Sequence, residues 1–495
     1  MRHVRLLPLH SPTGERPGSA RTICVQRHIL RFILISTCAL GDAVAGRPLS
    51  SEERGASGHP RAIGGLMSAL RSYSRSTLGL LAVGAVVALS GCTPAPQTTP
   101  KPTPSPVESA PEPYAGPAVF VGDELDWFLP SAEDIARILP DVGEVGTPTP
   151  SLIQVSDGGG PDLSPAICSS LVYEPSLTSI GARSVTWTSA VPEQREGWLH
   201  VLQFADEAAA QGLMDTYVDA AQQCAQFAYG GGASTFDSTT AESEDGVRAV
   251  AGSLVIDDGF GGGHRLYQGY ASVGNVLVNF WQPFSGEAAF DSAQAASFLR
   301  DQASAAQKRL VEELTANPPE APASPPAVDP GAAWSTWDVT VEGIGPIVLG
   351  TELDDAIAAV PGAEVIRSEW AGGQTRIVSP DGAASLLLWT DDGATVVVAA
   401  SVGFANVADE PREDPAALPA AGDVRIGDTV AEAMSAFPGG TSIRIVSSGE
   451  YLYQWTTREG EAIRFRVDRD AADPDAVITG ILTEDATLRR LPDFG

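Results

Sequence analysis

Lysine is almost missing from this chain: Lys101 and Lys308 are the only two, and with arginine they make 31 basic residues against 62 acidic ones in 495. The resulting formal charge of -31 repels a phosphate backbone, and no basic stretch interrupts it, which excludes nucleic-acid binding. Histidine is scarce as well, with only His200 and His264 beyond residue 91. His-rich metal centres and most Ser-His-Asp arrangements are therefore short of parts. No Gly-x-Ser-x-Gly, Walker-type loop or Ser-x-x-Lys occurs. The glycine-rich stretch 259–263 follows Asp257 and Asp258, which repel phosphate, so it reads as a loop. No cofactor is expected from these residues.

What is present is 43% apolar residues and 38 prolines, a composition for folded domains separated by proline-rich spacers. The sharpest local signal is Met67 to Cys92: Arg71 and Arg75, then the apolar run Leu78 to Leu89, then Leu89-Ser90-Gly91-Cys92. Twelve residues cover about 18 Å of a roughly 30 Å hydrocarbon core, too little for a span. The segment resembles a bacterial lipoprotein signal peptide with a complete lipobox. The resemblance implies cleavage before Cys92, attachment of lipid to its thiol, and anchoring on the extracytoplasmic face of the cell membrane. Residues 1–66 then fit no role, and Met67 reads as the start; Ala43-Val44-Ala45 after the apolar run Phe32 to Leu40 is the rival cleavage site. Residues 1–91 carry 11 arginines and 4 acidic residues, so the chain from Cys92 onward stands at -38.

Behind Cys92, residues 92–118 form a tether with nine prolines between Thr93 and Pro117, able to reach roughly 75 Å in polyproline II geometry. A second proline-rich segment, 317–333, divides the remainder into an α+β domain at 119–316 and another at 334–495. In the first, Ser131 and Asp134 have capping-box form ahead of a short helix. Strands are expected at Arg183 to Thr188 and Trp198 to Phe204. Asp206 caps a long helix carrying Leu213, Tyr217, Ala220, Cys224 and Phe227, and a strand runs from Ala249 to Ile256. A hairpin from His264 to Trp281 turns on Gly274-Asn275, and a helix spans Ala288 to Leu314. This order suggests an antiparallel sheet with its packed helices on one face. The second domain contains a tandem repeat, about 343–403 and 422–485. Gly350 to Pro361 matches Gly427 to Pro438 at an offset of 77 positions, and Trp389-Thr390 matches Trp455-Thr456 at 66, with an eleven-residue insertion in the first copy. Each copy is one helix followed by an antiparallel sheet.

The short helix at Ser131, the strand-helix unit ending near Cys224 and the Gly274-Asn275 hairpin resemble the extracellular sensor domain of actinobacterial serine/threonine kinases of the PknH type. That likeness implies a ligand held in a cleft. The Gly350 and Gly427 helix entries and the Pro-Gly exits resemble the β-lactamase inhibitor protein fold, whose members bind proteins through a sheet face.

Cys168 and Cys224 are the cysteines left after Cys92, and an even pair in an exported domain reads as a disulfide. It closes a loop of about 57 residues and contributes roughly 4 kcal/mol. His200, between Leu199 and Val201, reads as a structural histidine, and Asp468, Asp470, Asp473 and Asp475 as a solvated loop without a calcium glycine. Hairpin parity pairs Gln268 with Trp281 and Tyr270 with Asn279. One face, with Tyr267, Ala271, Val276, Val278 and Phe280, is core. The other, with Gln268, Tyr270, Leu277, Asn279 and Trp281, mixes aromatic and amide groups, which suits a ligand or partner surface; a covered sheet face is its alternative. Failing that face, Tyr451, Tyr453 and Trp455 share one side of a strand. The expected function is binding of an extracellular ligand or protein partner without catalysis, against a carboxylate-dependent hydrolase or a purely structural envelope protein.

Overall fold

The computed structural model describes residues 113–488 apart from 156–162, 230, 258, 260–262, 288, 320–327, 368–373, 392, 394 and 404–413. Cys92, the signal-like segment and most of the tether lie outside the described residues.

Local chemistry sets the helix boundaries. Ser131 opens α1 (Ala132–Ile138) with reciprocal bonds: its hydroxyl accepts from Asp134 N at 3.2 Å, and the Asp134 carboxylate accepts from Ser131 N at 3.3 Å. Strands β1 (Val142–Val145), β2 (Ser151–Gln154), β3 (Gly181–Ser189) and β4 (Gly197–Gln203) follow. Asp206 caps α2 (Glu207–Gln223), accepting from Ala209 N at 2.7 Å. Ala210, Leu213, Met214, Tyr217 and Ala220 recur at helical spacing and are buried. The helix stops at Gln223, earlier than the spacing of Phe227 predicts, because Cys224 is its C-cap and is bonded to Cys168.

After β5 (Phe227–Tyr229), β6 (Gly232–Glu242), β7 (Arg248–Asp257), β8 (Gly263–Val273) and β9 (Val276–Pro283) comes α3 (Ser292–Ala316). These strands form an eight-stranded sheet in the order β1-β3-β4-β9-β8-β7-β6-β5, every pair antiparallel. The β8–β9 register is the one parity predicts, with Gln268 opposite Trp281 and Tyr270 opposite Asn279. Tyr267, Ala271, Val276, Val278 and Phe280 face α3 in one core, where each large side chain contributes about 1.5–3 kcal/mol by burial.

The other face is not open. Leu266, Tyr270 and Leu277 join α2 and the 3-10 segment Ala166–Val172 in a second core, so this sheet carries helices on both sides and not on one face as the element order suggests. Gln268, Tyr270 and Asn279 are only 2%, 3% and 3% exposed, which corrects the expectation of a surface there. Parity fixes which side chains share a face; it does not say what covers them.

The turn at Gly274-Asn275 also serves as a clamp. Asn275 is fully buried; its Oδ1 accepts from Phe120 N at 2.7 Å, and its Nδ2 donates to Phe120 O and Phe204 O, each at 3.1 Å. Gly274 has φ +52°, and a Cβ there would stand 1.6 Å from Ala118 O, so only glycine lets the incoming chain lie across the turn.

The second half holds β10 (Val339–Thr340), β11 (Gly343–Ile344) and β12 (Ile347–Val348), a small antiparallel sheet, then α4 (Leu353–Ala358). Strands β13 (Glu364–Arg367), β14 (Gln374–Val378), β15 (Ser385–Thr390) and β16 (Val397–Val402) follow α4. The helix α5 (Val430–Ala436) precedes β17 (Thr441–Ile445), β18 (Glu450–Thr456), β19 (Glu461–Val467) and β20 (Ile478–Asp485). They assemble in the order β13-β14-β15-β16-β20-β19-β18-β17, two copies of a helix plus four antiparallel strands meeting at β16 and β20. The repeat phase differs from the tryptophan match. The offset of 77 carries Glu364 to Thr441, Gln374 to Tyr451 and Ser385 to Ala462, all within equivalent strands, with no eleven-residue insertion between them. Trp389 lies in a third strand and Trp455 in a second, so the shared Trp-Thr is a coincidence of composition.

The halves share a sheet. β2, from the first half, adds to the nine-stranded sheet as a parallel neighbour of β17, pairing Ser151 with Ser442 and Gln154 with Ile445. Leu152, Ile443 and Leu452 extend the α2 core across the junction. Thr441 Oγ1 accepts from Ala182 N at 2.9 Å, and Arg458 ion-pairs with Glu124.

Candidate functional site

A cleft of about 550 Å³ opens where the halves meet, lined by Asp123, Asp126, Arg183, Thr149, Met434, Pro438, Gly439, Ser442 and Tyr453, among others. Its floor is Arg183 on β3, whose side chain is 3% exposed. Burial of a guanidinium demands acceptors for its donors, and they are present. Nε donates to Asp126 Oδ1 at 2.7 Å, Nη1 to Ala182 O at 3.0 Å, and Nη2 to Gly122 O at 2.8 Å, Asp123 Oδ1 at 3.2 Å and Gly439 O at 3.3 Å. The carboxylates come from the 3-10 segment Gly122–Phe128, where an i, i+3 spacing brings Asp123 and Asp126 to one side.

The opposite wall is the exit of α5. Gly439 has φ +80° and Gly122 has φ +57°, and a Cβ on Gly439 would come within 3.3 Å of Gly122 Cα. Two backbones without side chains thus set the cleft's inner edge. Tyr453 closes it by accepting from Gly440 N at 3.0 Å while donating to Phe437 O at 2.5 Å. Burial raises its phenol above the ordinary value, against the opposite pull of Gly440 N–H and the Arg183 charge.

The sequence-predicted residues are distributed otherwise. Cys168 and Cys224 are joined, with Cα atoms 5.7 Å apart. Gln268 donates through Nε2 to Leu171 O at 2.9 Å, while Gln268 Oε1, Asn279 Oδ1 and Tyr217 OH are buried without a hydrogen-bond partner among the described residues. Tyr217 stacks on Tyr270 with ring centroids 3.7 Å apart, and burial pushes both phenols well up. Trp281 is half-buried, 5.7 Å from Trp198, which stacks on His200 at 4.1 Å. Burial lowers His200 to about 4, so its imidazole is neutral near pH 7. Tyr453 and Trp455 pack near Phe437, and Trp455 lies 5.4 Å from it. With Tyr451 they belong to the core of the second half rather than to a free face.

Asp468, Asp470 and Asp473 accept from the backbone of their own loop, at Val477, Ala472 and Asp475. Among the described residues no group of three or more His, Cys, Asp or Glu is placed to hold a metal ion. Cys92 lies outside the described residues, and no described helix is long and apolar enough to cross a membrane.

Arg183 was visible in the sequence as the first residue of a predicted strand. The signal for its role was a lone arginine in a run of small and apolar residues, Gly181 to Val185, where every position proves buried.

No family model matches the chain, and no curated protein matches it. Among solved structures, the extracellular domain of PknH from Mycobacterium tuberculosis is similar to 41% of this chain over its own full length, at 13% identity and a TM-score of 0.26. At that TM-score the likeness carries no argument about ligand or mechanism.

Proposed function

We propose that this chain is a lipid-anchored extracytoplasmic protein that binds a ligand or partner in the cleft between its halves and catalyses nothing. The observation that carries this reading is the cleft: its volume is in the range of small-molecule sites, and its walls come from both halves, joined by a shared sheet and a buried arginine. The lipobox at Leu89 to Cys92, the proline tether and the Cys168–Cys224 bond support an oxidising, membrane-attached setting. A carboxylate hydrolase fits less well. It needs one acid that holds a proton beside one that does not, whereas Asp123 and Asp126 both accept from one guanidinium.

Two experiments test the two halves of the proposal. Replacing Ser442 by Trp fills the cleft; wild-type and S442W protein, immobilised and exposed to culture medium, are compared by mass spectrometry of the eluted small molecules. A species retained by the wild type and lost from the variant is expected, and retention by both places binding elsewhere. For the anchor, palmitate labelling should disappear in Cys92→Ala, and an unmodified amino terminus upstream of Cys92 on the mature wild-type protein overturns it.

A further inference from the structure

The pattern of hydrogen bonds in the cleft selects a ligand class. Asp123 and Asp126 each give Oδ1 to Arg183, which leaves Oδ2 of each without a hydrogen-bond partner among the described residues. Their side chains are 86% and 52% exposed and both residues line the cleft, while the guanidinium they hold is covered. Two carboxylates against one cation leave the mouth with one net negative charge, inside a chain whose own field draws cations. A guanidinium fork wants both oxygens of one carboxylate side by side; single oxygens from two carboxylates suit the divergent donors of an ammonium. Leu129, Pro148, Pro150, Met434 and Pro438 line the rest and give an aliphatic stem apolar surface to lie on. The described part of the chain offers one lysine, Lys308 on α3, which is not among the lining residues.

We infer that the cleft takes an ammonium group carried on an aliphatic stem, the chemistry shared by a lysine side chain and a free alkyl diamine. This rests on the cleft being the binding site, as proposed above.

The test titrates the full chain with N-acetyl-Gly-Lys-Gly-amide, with the same peptide acetylated on the lysine, and with 1,5-diaminopentane. The charged peptide is expected to bind about tenfold more tightly than the acetylated one, and more weakly as ionic strength rises from about 0.02 to about 0.3 M. Asp123→Asn, at an exposed position that leaves the Asp126 bond in place, should weaken it severalfold, and Ser442→Trp should abolish it. The stronger of the peptide and the diamine identifies the source. Equal binding of charged and acetylated peptide, or binding of neither cationic probe, overturns the ammonium class while retention of another species by wild type alone leaves the cleft reading standing. Binding that survives Ser442→Trp overturns both.

Discussion

Arg183 donates to the carbonyl of Gly439 across 256 positions of chain, at 3.3 Å, while the same guanidinium holds Asp123 and Asp126 of the segment that follows the tether. One buried cation therefore ties the entering chain, the strand next to the edge of the first sheet and the exit of α5. These contacts lie where β2 crosses into the second sheet, so the two halves are joined at this edge by strand pairing as well as by the guanidinium.

Arg183→Met should consequently destabilise the whole described body. The change takes the shared partner from two carboxylates and a donor from three carbonyls, of which Ala182 O keeps the Thr441 hydroxyl, for a loss of about 3 kcal/mol. Urea denaturation followed by tryptophan fluorescence measures it. A loss of less than about 0.5 kcal/mol, the surface range, would mean that the guanidinium network adds nothing to the joint between the halves.

Trp281→Ala should report on folding and not on binding. Its ring is half-buried beside Trp198 and opposite Gln268 on the α2 side of the sheet. Truncation removes that packing and is expected to cost about 3 kcal/mol, seen as a lower melting temperature. Affinity for a cleft ligand should stay unchanged in the folded variant. A variant with wild-type melting and impaired binding would return the binding face to this hairpin.

Much of the fold was legible because short-range chemistry decides it. Ser131, Asp206 and the Gly274-Asn275 turn set two helix starts and one register. β6 was missed because Gly232 to Glu242 is mostly small and polar, with little β-branched bulk outside its threonines. β2 was missed for a different reason: four residues pair in parallel with a strand nearly three hundred positions away, and nothing local encodes such a contact. The candidate site shared that difficulty. Its walls come from the segments around Asp123, Arg183 and Gly439, which only the shared sheet brings together, whereas the amide-aromatic face that parity could derive turned out to be covered by α2.

His200 gives the fold a pH dependence with a definite sign. Burial lowers its folded value to about 4 from the ordinary 6.5. Between those values the unfolded chain takes up a proton that the folded chain does not, so stability falls as pH drops from about 6.5 toward 4, and the full contribution is present only above the upper limit. Glu484 and Glu461 act in the other direction: burial raises both, so the folded state holds their protons more tightly, and acidification returns some stability as it approaches their raised values. The net slope alone therefore does not isolate His200, but a variant does. His200→Phe keeps a ring against Trp198 and cannot be protonated, so its stability curve should be flatter than the wild-type curve between pH 6.5 and 4, with the two converging in shape above pH 7. Parallel curves across that interval would show that His200 is protonated as readily in the folded chain as in the unfolded one, and that the sheet face beneath α2 admits a charge.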